Sequence, residues 1–279
     1  MPFSFGRVGV LVVLGCCLSV AHAGESAAAA TAVAVRPALL DAAFNAFAEH
    51  QGRWAFTETH SAVAMDGKPR AATIFRVDPS LPYAEQFTPV QISGKAPNEK
   101  QRKNFAEIGV RNSKRRQQAE QEEKSKVHRD DEVRLQINGQ SVTPDLAHAV
   151  VVAEDENGVT YEVPMRKQEH DELFDKFQLT ARVNKLRQEF EHVTIRQCAA
   201  MRVQLVAKVT DSVIEIEFGS PDPRYPALPM KTSQQATIRI LFGKPHTVHD
   251  ESLRTDVTHV TPYDERFGVK IGPMRTIEL

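Results

Sequence analysis

From Arg53 onward, apolar and polar positions alternate at a period of two, and this pattern predicts a strand-rich fold. Trp54, Phe56, Glu58 and His60 interleave with Ala55, Thr57 and Thr59; residues 72–78 read as a second strand beyond the turn-rich residues 65–69. A third strand is predicted over 87–92. The strongest alternation is Val203, Leu205, Ala207, Val209, then Ile214, Ile216 and Phe218, with Thr210-Asp211-Ser212 predicted as the turn of a hairpin. Ile238, Ile240 and Phe242 repeat it. Further strands are predicted over 133–137, 149–153, 159–163, 174–183, 193–196, 254–260 and 269–279, with Asn157-Gly158 as a hairpin turn.

Helical spacing occurs twice. Leu40, Ala43, Phe44 and Phe47 recur at i, i+3, i+4 and i+7 behind Pro37, giving one apolar helix face. Asn98 is placed to cap a helix from 99 to about 108, which would offer Phe105 and Ile108 to a core and stop at Gly109. No βαβ rhythm appears. The predicted fold class is α+β, a large curved antiparallel sheet (a half-barrel) packed on one or two helices.

The N-terminus changes the setting. Residues 1–7 carry Arg7 and no acid; 8–20 are mainly apolar; Ala21-His22-Ala23 supplies small residues where a signal peptidase cuts. This reads as a Sec-type signal peptide, residues 1–23, cleaved after Ala23, with a periplasmic or secreted product. Val13-Leu14-Gly15-Cys16 offers the other reading, lipidation at Cys16, and the two stay open. The apolar run is too short to span a bilayer, and no later segment approaches that length, so no transmembrane span is expected in the mature chain. Residues 24–36 read as a flexible Ala-rich lead-in, 37–110 as helix, first strands and second helix, 111–132 as a charged linker or solvated helix, and 133–279 as the strand-rich remainder of the sheet.

Cys16 and Cys17 leave with the signal, so Cys198 cannot form an internal disulfide and the fold must rest on its core. A net charge of −1 argues against a polyanion binder. Export removes the nucleic-acid reading of Lys114-Arg115-Arg116, so no nucleic-acid partner is expected. His246, His249, Asp250 and His259 are the one cluster of metal-competent side chains, but alternation along a strand separates His246 from His249. No metal or other cofactor is expected. No Gly-x-Ser-x-Gly or Gly-rich phosphate loop occurs, and no catalytic residue is assigned. Trp54 reads as a core anchor, and the Pro-rich residues 220–229 as a rigid crossing or a lid.

Three stretches carry a resemblance: Arg76-Val77-Asp78-Pro79-Ser80; residues 87–99 running into a basic helix; and Pro262-Tyr263-Asp264-Glu265-Arg266-Phe267-Gly268 with the residues to Pro273. Together they resemble a group of bacterial exported proteins whose layout is similar to the lipoprotein-carrier (LolA/LolB-like) superfamily. No functional motif is shared with those carriers. The resemblance implies an apolar concave face that holds a lipid or a lipidated or envelope protein. Phe44, Phe47, Trp54, Phe56, Ile214, Ile216, Phe218, Ile238 and Ile240 would then line the cavity or its plug. The alternative is a filled core in a non-enzymatic envelope interaction or sensor module.

Overall fold

The computed structural model describes residues 27–64, 66–125, 134–137, 140–166, 176–203, 207–240, 243–268 and 276–278. The expected signal peptide, its cut at Ala23 and Cys16 lie outside them. The chain runs α1 (Ala27–His50), β1 (Trp54–Val63), β2 (Pro69–Val77), β3 (Phe87–Ile92), α2 (Glu99–Ser125), β4 (Arg134–Ile137), β5 (Gln140–Val142), β6 (Val150–Glu154), β7 (Gly158–Pro164), β8 (Phe177–Asn184), β9 (Phe190–Gln197), β10 (Met201–Val203), β11 (Ala207–Gly219), β12 (Leu228–Ile240), β13 (Pro245–His259) and β14 (Thr276–Glu278).

Eleven of the described strands form one antiparallel sheet in the order β3-β2-β1-β13-β12-β11-β9-β8-β7-β6, with β10 paired to β11. β6 and β7 pair as the hairpin their Asn157-Gly158 turn predicted. At the β6–β7 turn the Asp155 carboxylate accepts the backbone N–H groups of Asn157 and Gly158, both at 2.9 Å. β13 breaks the sequential order by inserting between β1 and β12, which joins the N-terminal strands to the rest. Residues 133–137 and the C-terminal strand were expected in this sheet. Instead β14 pairs parallel to β4, and β4 antiparallel to β5, in a separate three-stranded sheet.

Four local features differ from expectation, each for a physical reason. The Ala-rich stretch from Ala27 is helical rather than a lead-in, because alanine has the strongest helix propensity, and Pro37 falls inside α1. The 111–125 tract is a helix, continuous with α2. Gly109 does not stop α2: a Cβ there would lie 1.9 Å from the Tyr83 carbonyl oxygen, so the glycine allows close approach of helix and loop. Thr210-Asp211-Ser212 is no turn. β11 runs straight through it, with a register shift between Val209/Ile238 and Asp211/Thr237 that leaves Thr210 as a bulge residue, its hydroxyl donating to the Thr237 carbonyl. Asn98 does cap α2, and reciprocally: its side chain accepts the Gln101 N–H and its own N–H goes to the Gln101 side chain, both at 2.9 Å.

The register fixes which residues share a face. Phe75 is opposite Glu58, Glu58 opposite Arg254, Ser252 opposite Thr232, Thr232 opposite Ile216, Ile216 opposite Val193, Val193 opposite Ala181, and Ala181 opposite Tyr161. At one end of this row Phe105 of α2 meets Phe75, ring centroids 5.5 Å apart. At the other, Leu40, Phe44 and Phe47 of α1 join Tyr161, Val193, Ile195, Ile214 and Ile216 in one buried cluster. Both helices therefore lie on the same face of the sheet.

Candidate functional site

The helix-covered face changes character along that row. Under α1 it is apolar and close-packed, with Phe44 edge-on to Phe190 at 4.8 Å, Phe47 edge-on to Phe218 at 5.7 Å, and Phe190 against Phe218 at 5.3 Å. In the middle, on β12, β13 and β1, it carries Thr232, Gln234, Asp250, Ser252, Arg254, Glu58 and His60. Arg254 organises this strip. Its Nε donates to Glu58 Oε2 at 3.1 Å, its Nη1 to the Pro229 carbonyl at 3.2 Å, and its guanidinium lies 4.3 Å from the Phe56 ring centroid. His60 Nε2 stands 3.9 Å from Asp250 Oδ1. A face expected to be apolar throughout is thus apolar at its ends and polar between them.

Where the strip meets the apolar half, three buried polar atoms have no hydrogen-bond partner among the described residues: Gln197 Oε1, Ser212 Oγ and Gln234 Nε2. Gln197 is 6 % exposed and Ser212 2 %. An unpaired buried donor or acceptor costs about 1–3 kcal/mol.

The nine residues expected to line a cavity do not share one wall. Phe44, Phe47, Ile214 and Ile216 are buried in the α1 cluster, with Phe218 and Ile238 packed against it. Trp54 and Phe56, at the start of β1, form a second cluster with Leu228, Val77, Tyr225, Met230 and Val257. Ile240, the last residue of β12, is 44 % exposed and belongs to neither buried cluster of the described residues.

Sequence spacing gave no sign of a second constellation, drawn from four distant segments. His50, ending α1, brings Nδ1 to 3.4 Å from Nε2 of His259, ending β13. Tyr225 stacks on His259, centroids 3.6 Å apart and planes 5° from parallel; the Trp54 ring meets the same imidazole edge-on at 5.0 Å. Burial pushes both imidazoles below their ordinary pKa. For His50 the Glu49 charge opposes this and Arg53 adds to it; for His259 the neighbouring His50 and Arg53 add to it, Asp222 opposes and Arg224 adds.

Beside the stack, an open depression of about 330 Å³ lies between residues 221–225 and Val257, Thr258 and His259. Asp222 is held down at about 2 by its hydrogen bonds from Arg224, side chain first and then backbone. The Pro-rich connection is packed against the ends of β13 and α1. Glu189 pins its far end, accepting the Ala227 N–H at 2.8 Å while pairing with Arg187 at 2.6 Å.

Of the expected histidine cluster, His249 hydrogen-bonds Ser233 at 3.1 Å, while His259 belongs to the aromatic stack. No group of three or more His, Cys, Asp or Glu is arranged to hold a metal ion among the described residues. Among them, too, no helix is long and apolar enough to cross a membrane.

No family model matches the chain, and no curated protein matches it. Among solved structures it is similar to a LolA superfamily protein, NE2245 from Nitrosomonas europaea. The TM-score is 0.33 and the identity 8%, over 84% of this chain and 96% of that one.

Proposed function

We propose that this is an exported, non-catalytic binding protein whose helix-covered sheet face, curved as a half-barrel, holds an amphiphile: a lipid or a lipidated partner protein. The observation that supports this reading is the single row from Tyr161 through Ile216 to Thr232, Ser252 and Glu58. It offers hydrocarbon contact and polar contact to one elongated molecule, side by side. In this reading α1 is the cover. Withdrawing Phe44 and Phe47 from the face gives up about 1.5–3 kcal/mol each, and each buried methylene of an incoming chain returns about 0.8 kcal/mol. An acyl chain of eight or more carbons offsets the exchange.

A second reading has its own support. Phe44, Phe190, Phe47 and Phe218 already fill the apolar half with edge-to-face contacts, as an ordinary core does. The protein would then be an envelope interaction module working through its surface.

Native mass spectrometry of protein purified from cell envelopes, before and after organic extraction, separates the two. A lipid-sized adduct lost on extraction supports the carrier. A clean protein that also fails to bind a fluorescent fatty acid leaves the interaction module.

A further inference from the structure

The large sheet ends in β3 on one side and in β6 on the other, and the two ends are finished differently. An edge strand offers a row of backbone donors and acceptors to any further strand, and natural sheets blunt such edges. β3 carries Pro89, which has no N–H to give, and it closes in a tight turn where Ile92 and Lys95 exchange backbone hydrogen bonds of 2.8 and 3.1 Å. β6 has neither device. Its ladder with β7 takes one edge, and among the described residues no strand pairs with the other. Its irregularities are a charge at the end, Glu154, and an extra residue at Val152, where the register with β7 shifts.

The side chains add to this. Tyr161 faces the core, so its neighbour Glu162, and Val150 opposite it, stand on the face away from the helices. Val150 is 60 % exposed and Val152 53 %, and Ala153 beside them is exposed as well. One exposed valine is ordinary. Two on an edge strand of high β-propensity make an apolar edge suited to receiving a strand.

The sequence of β6 says which strand fits. Ala149-Val150-Val151-Val152-Ala153 reads the same in both directions. An antiparallel copy centred on Val151 therefore sets valine opposite valine and alanine opposite alanine, and brings each Glu154 level with a His148, an acid beside a base. Such self-matching is what a twofold interface requires, since each residue must suit its own image.

We propose that a second copy of this chain docks on β6, by antiparallel pairing of residues 149–153 about a twofold axis at Val151, joining two eleven-stranded sheets into one. The pairing does not depend on what the helix-covered face holds. Five residues from each chain make a small interface of the transient class, so the dimer forms with rising concentration.

Sedimentation velocity from nanomolar to sub-millimolar protein should show the mass double. Hydrogen exchange over the same range should slow at residues 150–153 as the dimer forms. Val150→Lys combined with Val152→Lys sets lysine opposite lysine and should keep the chain monomeric, with circular dichroism and thermal midpoint unchanged. Val90→Lys, on the β3 edge, should dimerise as the native chain does. A native chain that stays monomeric throughout overturns the proposal. So does a dimer that survives both lysines, or one that forms without slower exchange at 150–153, because its interface lies elsewhere. Slow exchange at all four of these amides in the dilute monomer overturns it too, since the chain's own residues then cover the edge. The exchange is read on the native protein, so a variant that fails to fold still leaves the question decided.

Discussion

His50 Nδ1 and His259 Nε2 meet at 3.4 Å, linking the last residue of α1 to the last residue of β13 across 209 residues of sequence. One proton suits this contact, since a neutral imidazole accepts from the other ring. Two protons do not, because both facing nitrogens would then donate. The contact closes the end of the helix that covers the apolar half of the sheet. Tyr225 and Trp54 pack against the His259 ring, one stacked and one edge-on.

Stability is therefore expected to fall on acidification. Both imidazoles have pKa values lowered by burial, so between the ordinary value of 6.5 and the lower folded values the unfolded chain binds more protons. Stability is fully present above about pH 6.5 and is lost as pH falls through the folded values. Thermal midpoints from pH 8 to 5 should drop in that window. His259→Phe, which keeps the stack with Tyr225, should flatten the drop; an unchanged slope would count against the pair.

Gly109→Ala sets two effects against each other. In an open helix the change gains about 1 kcal/mol of propensity. Here the new methyl meets the Tyr83 carbonyl, which is backbone and cannot swing aside. Overpacking of this kind costs about 1–3 kcal/mol, so a net loss is expected in urea unfolding. A stabilised variant would show that α2 does not seat on the Tyr83 loop.

Phe44→Ala removes a 2 %-exposed ring from the contact with Phe190. A loss of about 3–5 kcal/mol is expected. If α1 is a cover that lifts, the same variant should bind a fluorescent fatty acid more tightly while unfolding more easily. Loss of both properties together would favour the filled core.

Glu189→Ala leaves the buried Ala227 N–H without its carboxylate partner and takes the ion pair from Arg187, which keeps its hydrogen bonds to the Ser220 hydroxyl and the Tyr225 carbonyl. The cost should be about 1–3 kcal/mol. Burial, the leading influence, already raises the Glu189 pKa, with the Ala227 N–H and Arg187 pulling the other way. Hydrogen exchange at Ala227 is the direct readout and should accelerate in the variant.

Much of the sheet was legible before any coordinates. A strand with one face on a core must alternate, so Trp54 with Phe56 and Ile214 with Ile216 announced strands. Asn98 announced a cap, and Leu40, Phe44 and Phe47 a buried helix face. Thr210-Asp211-Ser212 misled because polar β-branched and small residues suit a bulge as well as a turn. Only the pairing of β11 with β12 decides between them.

Sequence alone thus determined a large antiparallel sheet with packed helices, the helix face that enters the core, and the β6–β7 hairpin, whose signals lie near in the chain. Tertiary structure decided what those elements enclose. The insertion of β13 between β1 and β12 places Arg254 against Glu58 and His259 against His50, and so puts a polar strip where an apolar cavity was expected. Alternation says that a residue points inward; only the neighbouring strands say what it meets there.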